Sequence, residues 1–435
     1  MPSAPGPETD ENRHSASWLP GDLALWRDLN ARSDLCAILA GGARAETLAK
    51  LDRNEWAELV DAGCRQGVGP LLAGAISEGG WPDTMDPAQR RTLVATWRAS
   101  IVHNVVMFGA LLDILETLAQ RPAVPVVLLK GAALGPTVYP KAELRPMGDL
   151  DLLVPRERID QAVKRLETAG WEPMDVAMMP GLTPEGQRHI RLQSVGSAPV
   201  VVELHWTLAG AEGQRHGPDM DWFWAQTEPF DPRRLGLPVP PSLLEGGQAG
   251  GDCGSFTLTP TAQPLYLAAH LTLHHAGPGG RLIWFYDLHL VIERQGKRID
   301  WEELVRRADQ FHWAPALRKA LDGTQALFGT ALPTGLLEDL ATASAGAPPA
   351  LGAWGSTQVQ TRVTAGLATA ATLEWRVLVR YVWGTVMPSP AYLRWRYDLD
   401  WGWLWPLYYP YRWADLAGDA VRTLWTVLRR RVESG

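Results

Sequence analysis

The sequence predicts an α+β fold, a small α/β core with a mixed sheet flanked by N-terminal and C-terminal helical regions. Three observations carry that expectation. Between residues 124 and about 208 lie three short apolar or β-branched runs, "VPVVLLKG", "GDLDLLVP" and "APVVVELHWTL", which read as strands. Between the second and third stands "RERIDQAVKRLETAGW", an amphipathic helix closed by glycine. On either side the apolar spacing is helical rather than alternating, and strands with an interposed helix indicate an α/β module.

Taken in chain order, residues 1–18 are rich in Pro, Ser, Glu and Asp and are expected to be disordered. Residues 19–120 form an N-terminal helical region. Its last helix, "SIVHNVVMFGALLDILETLAQ", sets apolar residues at 101, 105, 108, 112 and 115 on one face. Residues 121–240 are the core. Residues 241–256 are a glycine-rich loop, 257–342 a second helical domain, 343–357 an Ala/Gly/Pro linker, and 358–435 an aromatic- and Arg-rich C-terminal region.

Bulk composition narrows the function classes. A chain of 435 residues allows two to four domains, and 46 % apolar content with 20 % charged is that of a soluble protein with a substantial core. A net charge of −7 gives no support to non-specific DNA binding. Cys36, Cys64 and Cys253 are scattered, which points to a reducing, cytoplasmic setting and away from a structural zinc site. The N-terminus lacks the basic start and apolar stretch of a signal peptide, and no run of 18 apolar residues offers a membrane span.

The chemistry concentrates in "LLKGAALGPTVYPKAELRPMGDLDLLV", residues 128–154. Asp149 and Asp151 are two apart, so a strand projects both to one side and sends Leu150 and Leu152 to the other. Two carboxylates on one face repel unless a cation lies between them, and Mg²⁺ (or Mn²⁺) suits oxygen ligands completed by water and phosphate. Glu203 in "VVVELHWTL" offers a third carboxylate on a neighbouring strand. The plainer reading makes Asp149 a strand cap and Asp151 a solvated edge residue. His205, on the same strand face as Glu203, is suited to orient it.

An apolar strand ending in Gly, a helix, then two aspartates in a strand and a third acid on another strand resembles the DNA polymerase β-like nucleotidyltransferase superfamily. Within it, "LLKGAAL", "LRPMGDLDLLV" and "VELHW" look like a bacterial nucleotidyltransferase family. The likeness extends through "YLAAHLTLHH", "WFYDLHLVIE", "DWEELVRRA" and "PSPAYLRWRY", over residues 95–400. The resemblance implies a nucleotidyltransferase core at 121–240 and an enzyme moving a nucleoside monophosphate from an NTP such as ATP to an acceptor. Asp149, Asp151 and Glu203 would be catalytic metal ligands, and Lys130, Gly131, Arg145 and Gly148 would meet the nucleotide. The superfamily carries Gly-Ser at the first turn; here the turn is Lys130-Gly131-Ala132, with Lys130 and Arg145 available for phosphate. That departure keeps open a catalytically weakened nucleotide-binding or scaffold protein, beside a toxin-like enzyme nucleotidylating RNA or protein. The acceptor is left among small molecule, peptide, protein and RNA.

Two further features stand apart from the acids. His270 and His274 are four residues apart on a helix, with Asp287 following; the histidines are read as packing residues rather than ligands, and Asp287 as orienting a histidine or reaching nucleotide. In the tail, eight of the 21 tryptophans follow Leu373 and are interleaved with Tyr and Arg. That mixture suits a membrane interface or packing onto the helical domain, so peripheral membrane contact is a possible partner.

Overall fold

The computed structural model describes residues 34–42, 48, 50–174, 188–209, 217–245, 254–274, 281–344, 375–397 and 402–433. The N-terminal eighteen residues, half of the glycine-rich stretch, the greater part of the 343–357 linker, Cys253 and the His274 side chain lie outside the described residues.

The first long elements are helical. α1 (Arg53–Arg65) starts from a reciprocal capping box between Asp52 and Glu55. α2 (Gly69–Gly79) follows, and α3 (Pro87–Ala119) opens with a second capping box, Asp86 with Gln89, and proline in its first turn. α3 is 33 residues long and, among the described residues, the one helix apolar and long enough to cross a membrane, with 44 % of its apolar window buried. Its burial departs from the expected stripe. Phe108, Leu112 and Leu115 are buried with Met107, Leu111 and Leu118, whereas Ile101 and Val105 are exposed beside Val102 and Val106. Only the C-terminal half of the helix lies on the sheet.

The sheet is mixed and seven-stranded, in the order β3-β4-β5-β2-β1-β7-β6. In chain order its parts are β1 (Val126–Leu128), the short helix α4 (Lys130–Thr137), β2 (Leu150–Leu153), α5 (Ile159–Thr168), β3 (Trp171–Pro173), β4 (His189–Ser194), β5 (Val201–His205), α6 (Met220–Ala225), β6 (Thr227–Pro229) and β7 (Ser255–Leu258). β1 runs antiparallel to β2 and parallel to β7, and β2 runs parallel to β5. The edge strands β3 and β6 each end in proline, which cannot donate to a further strand and so discourages edge-to-edge pairing. β7 pairs with β1, so the sheet continues past residue 240 and takes in residues that the sequence divides between the glycine-rich loop and the helical domain.

After β7 come α7 (Ala262–Ala269), a π-helical turn at His270–His274, α8 (Leu282–Gln295), α9 (Trp301–Gln310), α10 (Ala314–Phe328) and α11 (Leu336–Ser344). The wide turn at His270–His274 departs from the α-helix expected there; such turns cluster at functional sites. Two cores form on the sheet's two faces. Leu150 and Leu152 join Val126, Leu128, α5 and the end of α3 in one. Val127 and Leu153 join α1, α2 and α7–α11 in the other, so the N-terminal helices and the 257–342 helices share one hydrophobic core. The C-terminal segment holds α12 (Trp375–Val386), α13 (Pro390–Arg396) and α14 (Tyr408–Glu433). Cys36 and Cys64 are free thiols, and burial pushes that of Cys36 up to about 12.

Candidate active site

β1 ends against β2, where the Leu129 N–H donates to the Asp151 carbonyl at 3.0 Å. The chain then reverses into α4 through Lys130, whose φ of +43° is unusual for a residue with a Cβ. Gly131 comes next because nothing larger fits: a Cβ there would lie 2.5 Å from Met147 Cγ and 2.8 Å from Arg145 Nη1. This turn aims Lys130 back at β2, and its Nζ donates to Asp151 Oδ1 at 2.6 Å.

Asp149 sits in the bend just before β2 and Asp151 inside it. Asp151 is buried, on the face opposite Leu150 and Leu152. Parallel pairing sets Asp151 beside Glu203, and His205 Nε2 lies 3.0 Å from Asp151 Oδ1 and 3.3 Å from Glu203 Oε2. Antiparallel pairing of β4 with β5 brings His189 opposite His205; their rings are 4.9 Å apart, and His189 Nε2 is 3.7 Å from Glu203 Oε1.

The acids differ sharply in their electrostatics. Burial and then the charge of Asp151 push the Asp149 carboxyl up to about 6. Burial also opposes ionisation of Asp151, but Lys130 and His205 outweigh it and hold that carboxyl well below the usual range. Burial likewise opposes ionisation of Glu203, which its hydrogen bond to His205 overcomes, leaving its pKa lowered. Burial and then His205 lower His189 to about 4, so its ring is neutral at pH 7.

Arg145 is fixed from two sides. From α3, Ser100 Oγ donates to the Glu143 carbonyl at 2.7 Å, and Asn104 Nδ2 to the carbonyls of Ala142 and Arg145 at 3.0 Å each. From α8, Asp287 accepts from Arg145 Nη2 at 2.7 Å and Nε at 3.2 Å, and from the Tyr139 hydroxyl at 2.6 Å. Asp287 is 1 % exposed and therefore orients Arg145, not a histidine.

A cavity of about 900 Å³ opens over this turn. Lys130, Gly131, Arg145, Gly148, Asp149 and Asp151 line one side; His103 of α3, His270, Arg281 and Trp284 stand on the others. Glu203, His205 and Asp287 are not among its lining residues. His270 is buried, its ring edge-on to Trp284 at 5.5 Å. His270→Ala is expected to lower the melting temperature without changing bound metal, as differential scanning fluorimetry beside elemental analysis would reveal; metal lost with the ring would refute a packing role.

Sequence reasoning did not pick out His189, Tyr139, Arg281 or Trp284. His189 begins "HIRLQS", a strand without a β-branched run, and its place beside His205 depends wholly on non-local pairing. Residues 52–329 match a protein family described as "Uncharacterised nucleotidyltransferase". No curated protein and no solved structure matches the chain.

Proposed function

The chain belongs to that nucleotidyltransferase family, and from this premise we propose that the cavity over β2 is where an NTP gives up its nucleoside monophosphate. The observation that carries the reading is the set of charges at the end of β1. Asp149, Asp151 and Glu203 carry three negative charges and Lys130 one positive, a balance of −2 when all are ionised. An all-oxygen donor set with that balance fits one Mg²⁺ or Mn²⁺. Asp149 and Asp151 would hold the ion with Glu203 as third ligand, and when bound it would neutralise charge on the phosphates.

The remaining work falls to the chain's own groups. α4 starts at Lys130, so its first N–H groups, which have no partners inside the helix, and its dipole favour phosphate at the turn. The missing Cβ of Gly131 leaves the space that Met147 and the Arg145 guanidinium fill, which sets that guanidinium against the turn. In the transfer, an acceptor hydroxyl or phosphate oxygen bonds to the α-phosphorus as the bond to the β-phosphate oxygen breaks. Pyrophosphate leaves with the electron pair, and a hydroxyl acceptor loses its proton. A thermal-shift series with Mg²⁺ or Mn²⁺ and each of the four NTPs, followed by pyrophosphate release in the presence of lysate, tests the reading. Metal-dependent nucleotide shifts with pyrophosphate release are expected. Shifts without release point to the weakened enzyme suggested by the absent turn serine, and no shift removes the reading.

We also propose a cytoplasmic protein that touches anionic membrane through its C-terminal helices. On α12, Trp375, Val379, Val382, Trp383 and Val386 are all exposed and fall on one helical stripe. α14 is tied to the end of α12, with Arg412 Nε donating to the Thr385 carbonyl and Trp413 Nε1 to that of Val386, and it exposes Tyr411, Val421 and Trp425. Residues 375–435 hold nine arginines against five carboxylates, in a chain whose total charge is −7. An apolar, Trp-bearing stripe bordered by arginine suits an anionic bilayer surface. Full-length protein should sediment with phosphatidylserine-containing vesicles and stay in the supernatant with purely phosphatidylcholine vesicles. Replacing Trp375, Val379 and Trp383 by Glu should release it, and equal recovery of wild type in both supernatants would exclude the contact.

A further inference from the structure

His189, Glu203 and His205 place one ligand atom each within 4.8 Å of one another, and among the described residues they are the one such His/Cys/Asp/Glu group. The transfer proposed above uses only the carboxylate of this trio. The two imidazoles come from adjacent strands, His189 of β4 directly across from His205 of β5. Glu203 lies between them, Oε2 toward His205 at 3.3 Å and Oε1 toward His189 at 3.7 Å. Asp151 adds a fourth donor, 3.0 Å from His205 Nε2. None of the three lines the nucleotide cavity, so this cluster lies to one side of Asp149.

The donor chemistry separates this cluster from the oxygen site. Mg²⁺ takes oxygen ligands almost exclusively and dehydrates reluctantly, whereas imidazole is a ligand for Zn²⁺ and other borderline transition ions. Two histidines and one glutamate match a familiar zinc ligand composition. We propose that His189, Glu203 and His205 form a second metal site, selective for a transition ion of the Zn²⁺ class over Mg²⁺ and linked to the nucleotide site through Asp151 and through Glu203, whose two carboxylate oxygens let it serve both. A bound ion would take the Nε2 lone pairs, the ring protons moving to Nδ1. The site would brace Asp151 and Glu203 from behind, and it does not depend on whether the cavity turns over NTP.

The test is calorimetric titration of the metal-free full chain with Zn²⁺ in millimolar Mg²⁺, which occupies the oxygen site. One Zn²⁺ per chain is expected, with affinity falling by about 10- to 100-fold or more in His189→Gln and in His205→Gln and unchanged in Asp149→Asn. X-ray absorption of the zinc-loaded protein should show two imidazole ligands. Three results would overturn the site: no stoichiometric Zn²⁺ in wild type, undiminished binding in both histidine variants, or competition by Mg²⁺ together with loss in Asp149→Asn. The last would assign the ion to the carboxylates and leave the nucleotide reading intact. A missing metal-dependent nucleotide shift would instead remove that reading and leave the zinc result standing.

Discussion

Asp149→Asn should cut nucleotidyl transfer by about 10³-fold or more and, in metal-free protein above pH 6, raise the melting temperature. Both effects have one origin. Asp149 is half-buried beside Asp151, and its pKa stands at about 6 against an ordinary 3.8. The folded state therefore favours the neutral carboxyl. The stability it contributes is full below pH 3.8 and is lost as pH rises through about 6. A shift of that size corresponds to roughly 3 kcal/mol at neutral pH. Asparagine keeps the shape, removes the charge and escapes that loss.

The measurement is paired thermal unfolding in EDTA at pH 5 and pH 8, wild type beside variant. Comparing the two proteins cancels the titrating groups that do not face Asp149, and Asp151, held well below the usual range, stays ionised at both pH values. The variant's advantage should grow with pH; identical melting temperatures at pH 8 would mean that Asp149 is solvated and its charge costs the fold nothing. Saturating Mg²⁺ and NTP should reverse the order, because ligand binding raises the melting point of the protein that can bind. Conversely, Asp151→Asn should destabilise without metal, since it removes the charge that Lys130 and His205 both face.

How much of this was legible depended on sequence separation. Lys130, Gly131, Asp149 and Asp151 lie in one stretch of 22 residues, where strand alternation alone relates the two acids. Glu203 was visible because valines flank it in a strand long enough to read. The short strands were not: β3 and β6 have three residues each, including a proline, and β7 has four. Nothing local could reveal His189 beside His205, which depends on the β4–β5 register. The length of α3 did not determine its burial either, because the exposed Ile101, Val102, Val105 and Val106 are as apolar as the buried residues that follow them and only the sheet's extent distinguishes them.

The largest expected loss of stability lies at Asp287, 142 residues from its partner Arg145. Replacing Asp287 by Ala leaves a guanidinium that is 7 % exposed and the buried Tyr139 hydroxyl without their acceptor. Removing one partner of a buried pair costs about 3–5 kcal/mol. In a chain of 435 residues that lowers the melting temperature by roughly 3–6 °C. The damage should reach the site, since the same contact pins the 142–145 segment against α8. A melting temperature within 2 °C of wild type would show that the pair is solvated and not the strut its geometry describes. A triple variant, Tyr139→Phe, Arg145→Met and Asp287→Leu, removes every polar member together and should recover most of the loss, because apolar replacements of similar volume substitute well for buried charges. It also separates two roles of Arg145. As a strut alone, Arg145 is dispensable once the apolar trio packs, and transfer should return with stability. Its guanidinium, however, stands against the Gly131 turn on the cavity wall. The expected outcome is therefore a protein that folds like wild type yet keeps a raised KM for NTP, and complete kinetic recovery would assign Arg145 to the scaffold.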